Sequence, residues 1–304
     1  MPERRPDAKS AKGGMECAAV TMTEAEPFGA YAPRGLVRRA METTRALRYS
    51  WVNRRVTNVL RRVALTRLRG APVDVEALGF RMRLKPERNI CEKRMLFSPQ
   101  TFDPDELAIL AARLRPGFVF IDIGANVGAY ALFVASRTDG TSRVLALEPQ
   151  PDIFDRLVFN IRLNSFATIK ALNCAVADKS GEVTLFIDSD NSGESSVKLL
   201  GSTEAEPIRV VARTLLDVIE EERYPRVDAV KLDVEGAEDL ILEPFFAKAP
   251  AALHPHLLII ENAVRQWQID LPALLTARGY RRIARTRLNL VYERTTADGD
   301  AQHV

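Results

Sequence analysis

The chain has 304 residues, 46% hydrophobic and 27% charged, which excludes global disorder and a collagen-like repeat. Its 43 basic and 40 acidic side chains leave a net charge of +3, so the overall balance names no nucleic-acid partner. Three scattered cysteines make neither a disulfide framework nor a CxxC knuckle, and three histidines nearly exclude a multi-histidine metal site; the thiols read as reduced, in a cytoplasmic setting.

Residues 1–30 lack periodicity and lack the apolar run of a signal peptide, and are expected to form a disordered lead. Residues 31–72 read as a basic amphipathic helical extension, with eleven arginines against the single acid Glu42 between 34 and 69. Val52, Val56, Val59, Leu60 and Val63 recur at helical spacing with Arg54 and Arg61 opposite, and another helix is expected before them. Such a stripe suits packing on the rest of the protein, or peripheral contact of 34–69 with an anionic membrane surface.

Residues 73–294 carry the pattern of one α/β domain, and 295–304 that of a disordered tail. Strands around 73–85 bend at Gly79, and a capped helix starts at Asp103-Pro104. Strands are then predicted at 118–123, 143–148, 169–175, 229–233 and 257–261, with helices at 127–136, 153–164 and 237–248 between them. A hairpin of 182–187 and 208–212 surrounds a polar loop, 188–207, which is a candidate for choosing the substrate. A helix at 271–278 and strands at 281–285 and 288–293 finish the domain. The alternation predicts a Rossmann-like, doubly wound, mostly parallel sheet with a C-terminal antiparallel strand pair and a helical N-terminal extension. Residues 117–136 are apolar enough to suggest a membrane span, but Asp122, Gly124, Asn126 and Gly128 within them point to a strand, a turn and a helix instead.

That strand and turn put Asp122, Gly124, Ala125, Asn126 and Gly128 at the carboxyl end of the sheet, where such folds bind ligands. Gly124 admits close backbone approach, and amides near Asn126 are expected to face an anionic group. Glu148 ends the next strand, where a carboxylate can accept hydrogen bonds from two ribose hydroxyls. The GxxxG spacing of Gly124 and Gly128 departs from the GxGxxG of pyrophosphate sites. A nucleoside that carries a carboxylate and no pyrophosphate fits, and S-adenosyl-L-methionine has those parts. Both glycines also suit plain strand–helix packing.

A second acidic strand end, Asp233 with Glu235, is expected beside the first, and Glu261 ends a third. These carboxylates could bind a sulfonium, and one could take a proton from a hydroxyl. In-line methyl transfer draws mostly on alignment and exclusion of water. A divalent metal held by Asp233 and Glu261 is a further option that the residues leave open. Acids in a first helical turn also offset the helix dipole, which suffices for Glu238 and is an equal reading for Glu235. His254, His256, Trp267 and the Phe245-Phe246 pair read as packing or structural residues.

Phe120-Ile-Asp-Ile-Gly-Ala-Asn-Val-Gly-Ala-Tyr130, Glu148-Pro149, Asn173-Cys-Ala-Val-Ala-Asp178 with Gly181, and Lys231-Leu-Asp-Val-Glu-Gly-Ala-Glu238 together resemble the FkbM-type methyltransferases, in that family's order. The resemblance spans about 73–293. It implies a class I fold and S-adenosyl-L-methionine-dependent O-methylation of a hydroxyl on a sugar, glycolipid or secondary metabolite. It places Asp122, Gly124, Asn126 and Gly128 against the methionine part, Glu148 on the ribose, Ala175 and Val176 near the adenine, and Asp233 and Glu235 at the transfer cleft. Ala129-Tyr130 stands where members often have an aromatic or aliphatic pair, and the arginine-rich segment lies outside the shared region.

The residues also admit two rival readings. A nucleic-acid methyltransferase would use the arginines of 34–69 on phosphates, but the remainder of the chain is acidic and has no Asn/Asp-Pro-Pro-aromatic run. The other is a non-catalytic domain attached to a membrane surface through its basic helix. The acceptor reads as a small molecule or a glycan.

Overall fold

The computed structural model describes residues 26–47, 51–187, 195–196 and 206–295. Helices α1 (Gly35–Ala46) and α2 (Trp51–Leu68) open it, followed by a hairpin of β1 (Val73–Ala77) and β2 (Phe80–Leu84) and by α3 (Ile90–Phe97) and α4 (Pro104–Ala111). Next come β3 (Val119–Ile123), α5 (Ala129–Ala135), β4 (Arg143–Leu147), α6 (Pro151–Arg162) and β5 (Ile169–Leu172). After an excursion into β6 (Ala175–Val176), β7 (Gly181–Ile187), β8 (Ser195–Ser196), β9 (Glu206–Arg213) and α7 (Leu215–Glu221), the alternation resumes. It runs through β10 (Ala229–Leu232), α8 (Glu238–Lys248), β11 (Leu257–Glu261), α9 (Leu271–Ala277), β12 (Tyr280–Arg285) and β13 (Asn289–Arg294).

Seven strands form the main sheet in the order β12-β13-β11-β10-β3-β4-β5. All run parallel except β13, which pairs antiparallel with both β11 and β12. The predicted C-terminal strand pair is present, with its second strand inside the sheet and its first at the edge. The predicted strand 169–175 is divided: Asn173 and Cys174 leave the main sheet, and β6 joins a smaller sheet in the order β6-β9-β7-β8. The Asn173 side-chain amide donates to the carbonyls of Glu148 and Pro149 at the point of departure, at 2.8 and 3.1 Å.

Strand alternation explains two cores, one on each face of the sheet. Phe120, Val144, Ala146, Leu257 and Ile259 face α5, α6, α3 and α4. Val119, Ile121, Ile123, Val230, Leu232, Leu258 and Ile260 face α7, α8 and α9. Each of the larger of these side chains, taken fully out of water, contributes about 2 kcal/mol. Asp122 and Lys231 interrupt the first face, and the register sets them opposite one another on β3 and β10.

Three expectations need correction or restriction. Residues 26–30, assigned by composition to a disordered lead, are tied down. Asp74 accepts the backbone N–H of Gly29 and Tyr31, and Arg83 donates to the carbonyls of Glu26 and Pro27. In α2 the valine stripe is not the packing face: Ala64 is buried, Leu60, Leu65 and Leu68 pack behind it, and Val56, Val59 and Val63 point outward. The small Ala64 and its leucine neighbours form the side turned to the protein, which leaves the β-branched row to solvent. The remainder of the lead, the tail and most of loop 188–207 lie outside the described residues. Among the described residues no helix is long and apolar enough to cross a membrane.

Candidate active site

The carboxyl ends of β3, β4, β10 and β11 open onto one cavity of about 740 Å³, in the size range of small-molecule sites. Asp122, Gly124, Ala125, Asn126, Glu148, Ala175, Val176, Asp233, Glu235 and Glu261 all line it. Gly128 does not. It sits at the head of α5 with φ +94°, and a Cβ there would lie 2.7 Å from Leu157 Cδ1, so helix packing accounts for it.

Gly124 has a structural reason beside the ligand approach that the sequence suggested. Its φ is +74°, and a Cβ would stand 2.0 Å from the carbonyl oxygen of Asp233. The close approach is therefore between two strand ends, which brings the acidic end of β10 against the turn after β3. The helix-opening amides are also engaged internally. Asn126 donates to Glu148 Oε2 at 2.9 Å, Val127 to Asn126 Oδ1 at 2.9 Å and Gly128 to the Ala125 carbonyl at 2.9 Å. The expected anion seat on these amides is not free in this arrangement.

Glu148 is 6% exposed and also accepts the Gln150 amide on Oε1 at 3.0 Å. Burial pushes its carboxyl up to about 7, against those two amides, which favour the charged form. Each oxygen keeps a lone pair beyond the amide it accepts. Asp122 accepts the Ala131 amide on Oδ2, while its buried Oδ1 has no partner. Burial raises Asp122 to about 6, with Lys231 opposing and Asp233 assisting the shift.

Lys231 and Asp233 lie two residues apart, on the same face of the chain as it leaves β10, and pair at 2.7 Å. The lysine is 4% exposed and stands 4.9 Å from the centre of the Tyr130 ring. Burial works against its charge, yet Asp233 and Asp122 hold it above the ordinary lysine value. Lys231 is thus a fixed cation and not a base. Glu261 is shifted up, by burial first and then by Asp233 and Glu238, and its buried Oε2 has no partner. Glu235 adopts a left-handed φ of +54°, and its backbone amide favours the charged form of Glu261.

Several wall residues carried no assignment in the sequence. Tyr130 donates its hydroxyl to Asp103 at 3.0 Å, Arg94 pairs with Asp103 at 2.7 Å, and Asn89 donates to the Asn126 side chain at 2.8 Å. Thr57 and Arg61 of α2 and Arg287 of the turn before β13 complete the wall. Lys231 was the legible one: a charge inside an apolar strand, two residues before Asp233. The others come from segments whose placement only the tertiary fold reveals.

Glu238 is the first-turn acid that the sequence suggested, and it also fastens a loop: it accepts the amides of Val234 and Gly236 and the indole N–H of Trp267, the last at 2.7 Å. His254 contacts the Ala249 carbonyl and Phe246, away from the cavity. Among the described residues no three His, Cys, Asp or Glu side chains come together as a metal set.

Fold and cavity define an α/β protein of the doubly wound class, with its ligand site at the carboxyl ends of the central strands. Residues 122–282, just over half of the sequence, match the profile of the FkbM methyltransferase domain, and the chain belongs to that family. Curated relatives include methyltransferase sdnD of Sordaria araneosa, 29% identical over an alignment of 162 positions that covers 43% of this chain and 62% of sdnD. Another is the hexuronic acid methyltransferase AglP of Haloferax volcanii, 28% identical over 142 residues, 46% of this chain and 55% of AglP. The chain thus spans between about half and two thirds of these two relatives. Similar solved structures include a methyltransferase from Geobacter sulfurreducens, at 16% identity with TM-score 0.38, covering 63% of this chain and 77% of that one. Trm5b of Pyrococcus abyssi matches at 12% identity with TM-score 0.38, over 73% of this chain and 55% of that one.

Proposed function

We propose that the protein transfers a methyl group from S-adenosyl-L-methionine to a hydroxyl of a sugar, glycolipid or secondary metabolite. The observation that carries this reading is the meeting, in one cavity, of Asp122, Glu148, Asp233 and Glu261 from four adjacent strand ends. The residues fit the cofactor. The unpartnered Asp122 Oδ1 suits an ammonium group, and the open lone pairs of Glu148 suit two ribose hydroxyls. Ala175 and Val176 offer an apolar wall for a base. When bound, the cofactor supplies an electrophilic methyl group on a sulfonium.

The chain's own groups divide the remaining work. Glu261, its carboxyl raised to about 8 by burial and by Asp233, takes the acceptor's hydroxyl proton in its ionised form, so transfer should quicken as pH rises through that value. Asp233 is held by Lys231, so its carboxylate stays aimed instead of swinging into solvent. Glu235 belongs to the same rim, held in its left-handed conformation. The names of AglP and sdnD support a glycan or small-molecule acceptor. No step is assigned to a metal.

Calorimetric titration with S-adenosylhomocysteine tests the cofactor half. Wild type should bind, and Glu148→Ala should lose about a hundredfold in affinity, from two charge-assisted hydrogen bonds. Failure of wild type to bind defeats the enzyme reading. Glu261→Gln should keep the affinity and lose methyl transfer; an unchanged rate removes Glu261 as the base.

A further inference from the structure

We propose that the outward face of α2 is a docking surface for an anionic lipid bilayer. Val56, Val59 and Val63 are 41%, 63% and 44% exposed, a large apolar row for a water-facing helix. At 3.6 residues per turn the three fall within a sector of about 60°. The exposed Arg62 lies on one side of that sector and the exposed Arg67 on the other. The opposite side is committed to the protein, with Ala64 buried, Leu60 and Leu68 packed, and Thr57 and Arg61 on the cavity wall.

Charge selects the occupant. Residues 34–69 hold eleven arginines and one acid, and Arg45 is turned inward onto the carbonyls of Met95, Leu96 and Glu76. A second copy of this chain seated on the row would set arginines against arginines, which is unfavourable. A nucleic acid would take the arginines and leave the valines in water. An anionic membrane surface satisfies both, with guanidinium groups among the headgroups and the valine row at the acyl boundary. Docking of this kind would hold the cavity wall about one helix diameter, ~10 Å, from the bilayer. The inference stands independently of the methyl-transfer reading.

The test is co-sedimentation of the full chain with phosphatidylcholine vesicles, with and without about one-third phosphatidylserine. Sedimentation with the anionic vesicles, weakening as salt is raised, is the expected result. Val56→Gln/Val59→Gln/Val63→Gln should weaken it about tenfold or more, and Arg62→Gln/Arg67→Gln should remove the preference for phosphatidylserine. A second measurement does not depend on the triple variant folding: the fluorescence of Val59→Trp should shift to the blue when vesicles are added, relative to wild type. Absent sedimentation at low salt overturns the proposal. So does binding that follows the arginines and ignores the valines, a Val59→Trp spectrum that vesicles leave unmoved, or a valine-dependent dimer that ignores vesicles.

Discussion

Glu148 accepts two backbone amides and still has its carboxyl raised to about 7, because burial outweighs both bonds. The folded state therefore holds a proton that the unfolded chain, at about 4.5, has already released. Through Glu148, stability should fall by about 3 kcal/mol as pH rises from about 4.5 to about 7, and Glu261, raised to about 8, extends the fall beyond that. Asp122, raised to about 6, has the same sign. Glu148→Gln should flatten the slope between pH 5 and pH 8 in urea unfolding; an unchanged slope assigns it to other groups. At this scale most of the polar site was readable. Acids at strand ends stand out against apolar runs, and Asp122, Glu148, Asp233 and Glu261 all reach the cavity. What sequence withheld was their mutual wiring, such as the Glu148 bond to Asn126, since a hydrogen bond across 22 residues leaves no local trace.

The two glycines of the turn after β3 look alike in sequence and behave differently in the fold. An alanine Cβ at Gly124 would lie 2.0 Å from a backbone oxygen, which cannot move without shifting β10. At Gly128 it would meet only a leucine methyl group, at 2.7 Å, which can rotate away. Gly124→Ala should therefore cost about 4 kcal/mol, and Gly128→Ala about 1–2 kcal/mol, the strain of a positive φ. Equal shifts in the unfolding midpoint would refute this account. Helices and strands were legible because their periods are local, as in the alternation of β3 and β11 between two cores. The orientation of α2 was not. Its valines and its Leu60–Ala64 side are both apolar rows, and only the partner helix α1 and the cavity decide which is buried.

Across the molecule, the segment 26–31 is fastened to the β1–β2 hairpin by one buried ion pair. Arg83 and Asp74 are 3% and 1% exposed in their side chains, 2.7 Å apart, and between them they satisfy four main-chain groups of that segment. The guanidinium also lies over the Tyr31 and Phe159 rings, 4.7 and 4.9 Å from their centres. Arg83→Ala should cost about 3–5 kcal/mol, since it strands a buried carboxylate. It should also open the chain near Tyr31 to limited proteolysis; unaltered cleavage would show that the segment is held by other contacts. The fold class was evident from alternation alone, whereas this fastening joins residues over 40 apart and could not be anticipated.

The interior position of β13 carries a consequence for biogenesis. Until Asn289–Arg294 has left the ribosome, the flank of β11 is an open, apolar template for wrong pairing. The same late segment brings Asn289 and Thr286 onto Glu106, at 2.8 and 2.6 Å, closing one side of the chamber. A nascent chain therefore gains this wall of its chamber only once Thr286 and Asn289 have emerged to meet Glu106.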